Sequence, residues 1–129
     1  MQESPYKGKT GIKRVWNAFT YSIDGLSAAL KFEDAFRQEV LLALVLIPLA
    51  LYLERGAVER VVMIASVLLV LVVELLNSAV EAAVDRISFE HHHLIKRAKD
   101  MGSAAVLISL LNVVMAWGII LWGHYAVSQ

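Results

Sequence analysis

The stretch Val61–Asp85, VVMIASVLLVLVVELLNSAVEAAVD, constrains this chain more than any other. It opens as an uninterrupted apolar run and then sets Glu74, Asn77, Ser78, Glu81 and Asp85 into the same helical pattern. At about 100° per residue, offsets of three, four, seven and eleven return to one side, so these groups form a single stripe. Glu74 and Glu81 then stand about 10 Å apart along the helix. An ionised carboxylate in hydrocarbon costs at least about 2.5 kcal/mol on insertion scales. Two on one face therefore imply a protein interior, a watery cleft, a metal or a reaction. Structural pairing remains open beside chemistry at this point.

The rest of the chain agrees with a membrane setting. Of its 129 residues, 58% are hydrophobic, above the range of about 45–50% usual for a soluble domain. Formal net charge is zero, which gives no general case for nucleic acid. There is no cysteine, so disulfides, thiolate metal sites and a cysteine nucleophile are excluded together. The first apolar run begins only near Phe36 and no A-x-A site follows it, so no cleaved leader is expected.

Read in order, residues 1–9 are polar and suggest a loose terminus. Over 10–33, Ile12, Val15, Trp16, Phe19, Ile23, Leu26 and Leu30 recur at helical spacing opposite Lys13, Arg14, Asn17, Asp24 and Ser27. That is an amphipathic surface helix, with Gly25 a soft point and aromatic residues suited to the headgroup layer. A first span is expected over 36–54, containing Pro48, and a second over 58–85. Residues 86–97 read as an interfacial connector rich in charge and histidine, and 98–124 as a third span. On that last span Gly102, Ala105, Ser109, Asn112 and Ala116 fall on one side, where small residues allow close helix approach. Trp117, Trp122 and Tyr125 suit an aromatic belt at its far end. The fold class is therefore all-α and integral to the membrane, a single domain.

Lysine and arginine concentrate before the first span and in the second connector, and are sparse in the first turn and absent from the tail. The positive-inside rule then sets the N-terminus in the cytoplasm and the C-terminus outside. Glu33, Glu81, Asp85, Lys99 and Asp100 share the face that sees ATP. No Walker loop, kinase glycine loop or H-R-D sequence occurs. What remains is a set of carboxylates and cations at one membrane surface, the kit that phosphoryl transfer needs alongside a divalent ion. Asp85 reads as structural, pairing with Arg86 or a neighbouring helix. Consecutive His91, His92 and His93 do not face one ligand, which argues against a zinc site.

Three segments carry a resemblance. FEDAFRQE (Phe32–Glu39), ELLNSAVEAAVDRI (Glu74–Ile87) and RAKDMGSAAV (Arg97–Val106) resemble, in the right order, the signatures of the prokaryotic integral-membrane diacylglycerol kinases, Gram-negative type. The resemblance implies a homotrimeric enzyme of the bacterial inner membrane that transfers the ATP γ-phosphate directly to diacylglycerol, giving phosphatidic acid. Carried onto matching positions, it makes Glu74 the general base with Asn77 beside it. It gives Glu33 and Glu81 the magnesium on ATP. Arg14, Tyr21, Glu90, His91, His92, Lys99 and Asp100 would contact nucleotide, and Ser103 and Trp117 would lie near the lipid with Glu74. Ile23 and the EHHHLIK stretch depart from the pattern. Undecaprenol kinase is the rival within the class, and a small ion- or proton-translocating subunit the rival outside it.

Overall fold

The computed structural model describes residues 10–87 and 92–129. Every element among them is a helix, in the order α1 (Ile12–Phe32), α2 (Asp34–Tyr52), α3 (Ala57–Asp85) and α4 (His92–Val127). The chain divides into two compact units, Met1–Glu33 and Asp34–Gln129. The polar terminus over 1–9 lies outside the described residues.

The first unit is α1. Gly11 precedes it at φ 77°, a conformation glycine adopts without strain. Gly25 does not interrupt the helix. The hydroxyls of Thr20 and Ser22 donate to the carbonyls of Trp16 and Ala18 at 3.0 and 2.9 Å, so both are satisfied within their own helix. Trp16 and Phe19 stack obliquely with ring centroids 6.2 Å apart. Lys31 in the last turn complements the helix dipole, and the backbone becomes extended at Glu33.

The second unit contains three helices long and apolar enough to span a membrane. In α2, Asp34 sits favourably in the first turn and pairs with Arg37. Phe36, Ala43 and Ala50 are buried at seven-residue spacing, so one narrow face of α2 packs inward. Pro48 lies within the helix and leaves the Leu44 carbonyl without its usual helical donor. At the following turn, the Arg60 guanidinium donates to the Leu53 carbonyl at 3.1 Å and closes the end of α2.

Helix α3 packs against both α2 and α4. Its buried residues Met63, Val67, Val70 and Glu74 alternate steps of four and three, the period of a helix seam. Met63, Val67, Val70, Ala43, Ala50, Val113 and Trp117 form the apolar core. The Trp117 indole donates to the Met63 carbonyl at 3.1 Å, tying α4 to α3 by a buried hydrogen bond. Ser66 and Ser109 are also buried and donate to carbonyls of their own helices, at 2.7 Å each. Outside this seam the spans expose leucine, valine and isoleucine, as a lipid-facing surface does.

Three details differ from the sequence expectation, the first being Trp117, which is buried in the seam against Met63 and does not stand with the exposed Trp122 and Tyr125 in an aromatic belt. Helix α4 starts at His92, so part of the 86–97 connector is helical. Its inward face is formed by Gly102, Val106, Ser109, Val113 and Trp117, whereas Ala105 and Asn112 are exposed. Close packing of Val113 and Trp117 against α3 rotates the small-residue stripe partly out of the seam.

Candidate active site

Three contacts fix how α3 and α4 lie in antiparallel register. Trp117 meets Met63 near one end, Gly102 meets Asn77 further along, and Lys99 Nζ binds Asp85 Oδ1 at 2.7 Å at the other end. The stripe that begins as Met63, Val67 and Val70 continues as Glu74, Asn77 and Glu81. The seam changes from apolar to polar without changing its period.

Glu74 is the point of change. Its side chain is buried, with 4% of its surface exposed, within a helix long and apolar enough to span a membrane. Asn77, one turn on, is half-buried, and its Oδ1 is fully enclosed and accepts no hydrogen bond. Glu81 is half-buried another turn along. Asp85 is exposed, and it pairs with Lys99 on the neighbouring helix rather than with Arg86. Lys96 and Asp100 pair at 2.6 Å along α4. The stripe therefore runs from a buried carboxylate to an accessible cluster of both charges.

Glu39 joins this arrangement although the motif reading passed over it. It lies on α2 within electrostatic reach of Glu74, and its Oε2 is enclosed without a hydrogen-bond partner. The signal was present in the sequence: an ionisable residue inside a span is the same feature that marks Glu74.

The other expected site residues are distributed as follows. Arg14 and Tyr21 are exposed on α1, and Glu33 is half-buried at its end. Ser103 is exposed on α4, next to Gly102. Trp117 lies at the Met63 end of the seam, about 16 Å along α3 from Glu74. Glu90 and His91, and the side chain of His92, lie outside the described residues. No group of three or more histidine or acidic residues forms a metal cage among the described residues. Magnesium does not need one: it is commonly held by one or two carboxylates with the phosphates themselves. A half-buried Glu81 carboxylate is a fitting hard-oxygen donor for that mode.

The model of the prokaryotic diacylglycerol kinase family matches residues 20–121. The chain belongs to that family. It is 55% identical over 123 residues to a diacylglycerol kinase of Pseudomonas aeruginosa, covering 95% of this chain and 100% of the relative. It is 52% identical over 116 residues to the diacylglycerol kinase of Escherichia coli K12, covering 90% and 95%. A diacylglycerol kinase of Helicobacter pylori is 49% identical over 116 residues, covering 90% of each chain. The match spans α2, α3, most of α4 and the latter part of α1, so the polar seam falls inside the family's common region.

Proposed function

We propose that this chain is a membrane lipid kinase that moves the γ-phosphate of ATP onto the free hydroxyl of diacylglycerol, giving phosphatidic acid and ADP. The observation that carries the reading is the buried Glu74 carboxylate, set in a membrane span at the point where the apolar seam becomes polar. A base at that depth meets an alcohol anchored by its acyl chains, while the charged end of the seam meets a water-soluble nucleotide. Family membership supplies the reaction class.

In this reading the Glu74 carboxylate takes the hydroxyl proton as the alcohol oxygen attacks the γ-phosphorus. The bond from the γ-phosphorus to the β–γ bridging oxygen breaks, and ADP leaves with the electron pair. Glu74 afterwards returns its proton to water. Asn77 orients the hydroxyl beside the base. Magnesium, when bound with the nucleotide, supplies charge screening for the phosphates, and Glu81 is the carboxylate on α3 suited to hold it. The family pattern adds Glu33 as a second ligand, and Arg14, Tyr21, Glu90, His91 and His92 as nucleotide contacts. Lys99 exchanges Asp85 for phosphate, and Asp100 contributes from the same turn. Ser103 lies toward the glycerol and Trp117 at acyl-chain depth.

Assembly into a homotrimer within the membrane is what the family resemblance implies, and three spans in one chain are too few to wall off a site from lipid. The lysine and arginine distribution supports a cytoplasmic N-terminus and a periplasmic C-terminus, and kinship with the family supports a bacterial inner membrane as the location. The decisive experiment offers γ-labelled ATP with diacylglycerol and with undecaprenol in the same detergent. Label appearing in phosphatidic acid is the expected result. A strong preference for the polyprenol overturns the substrate, and ion flux without labelled lipid overturns the kinase reading.

A further inference from the structure

We infer that Gly102 is a positioning residue, whose missing side chain seats the Asn77 amide beside the reacting carboxylate. The inference rests on the reading of Asn77 given above. Glycine inside a helix is unfavourable, because it gives up more backbone freedom than any other residue and packs nothing. A reason for it must therefore be sought in what lies next to it. At Gly25, Gly118 and Gly123, also within helices, a Cβ would meet nothing within 4 Å. At Gly102 the same atom would collide with Oδ1 of Asn77, with Cγ of that side chain only 3.3 Å away.

The collision is with the amide itself. Asn77 Oδ1 is enclosed and accepts no hydrogen bond from a protein donor among the described residues. What fixes its direction is the surface of α4, flat at this one point. A methyl group at position 102 would either turn the amide about χ1 and χ2 or push the two helices apart. Glu74 lies one turn to one side of Asn77 and Glu81 one turn to the other, so a turned amide moves relative to both. Gly102 also lies one turn from Lys99, whose contact with Asp85 marks the register of the same helix pair. The glycine therefore links the placement of the cationic end of α4 to the orientation of the amide.

The test is a double-mutant cycle with G102A, N77A and the combined variant in detergent micelles. Circular dichroism and gel filtration establish that each is folded. G102A is expected to lose about ten-fold or more in kcat while KM for magnesium-ATP changes less than about two-fold. In the N77A background, adding G102A is expected to cost less than about two-fold in kcat. Thermal midpoints provide the same cycle without relying on turnover: the loss caused by G102A should disappear once Asn77 is shortened. If G102A alone fails to fold, the combined variant should fold, and its failure to do so overturns the proposal. Equal losses from G102A in both backgrounds, near-normal kcat in G102A, or a change confined to KM for ATP overturn it as well. A fully active N77A is a different failure. It removes Asn77 from the reaction and takes down the functional reading of that residue before the cycle is considered.

Discussion

The two ends of the α3–α4 seam follow one helical period but bury different chemistry. At the Met63 end the apolar residues are methionine, valine and tryptophan, the buried serines are satisfied within their own helices, and the polar contact between the helices, indole to carbonyl, is complete and buried. At the Glu81 end the same positions carry carboxylate and amide, an enclosed oxygen has no donor, and the ion pairs are exposed. A membrane helix pair gains little from hydrophobic burial, because lipid is as apolar as the neighbouring helix. Tight packing and satisfied hydrogen bonds at one end therefore hold the pair together, and the other end carries the polar groups on which the proposed reaction rests. Apolar packing is concentrated in the first half of the seam and the residues of the proposed chemistry in the second.

That contrast can be broken by substitution. The largest effect is expected from E74Q, which should lower label transfer by about 10²–10⁴-fold with helix content unchanged. Near-normal turnover in that variant would remove the base from this scheme. W117A should act in the opposite way, costing about 3 kcal/mol of stability, near the lower end for a buried aromatic because lipid can fill part of the space. Unfolding in a denaturing detergent series measures it, and an unchanged midpoint would mean the Met63 end does not hold the helices. E81Q should raise KM for magnesium-ATP about ten-fold, equivalent to about 1.4 kcal/mol, with no loss of stability. Titrating magnesium at fixed ATP separates this from a general loss of activity. The smallest effect belongs to D85N, because its partner Lys99 is 41% exposed and Asp85 61% exposed. Exposed pairs of this kind contribute little, because water and salt screen them, so its thermal midpoint should barely move.

The sequence alone was enough for features that depend on local periodicity. Three apolar segments of spanning length, an amphipathic helix before them and a polar stripe on α3 all follow from residue spacing, since a helix places i, i+3, i+4 and i+7 on one side whatever surrounds it. The motifs carried the family for the same reason, being contiguous in the chain. Helix α4 was less legible, because it is apolar nearly all round and its period does not select a face. Only packing decided that Val113 and Trp117 turn inward while Ala105 and Asn112 turn out. Tertiary structure also decided that Lys99 pairs with Asp85, that Glu39 comes near Glu74, and that Gly102 lies against Asn77. Each of these depends on how one helix is rotated and shifted against another, a quantity set by side-chain fit across the seam and carried by no local pattern.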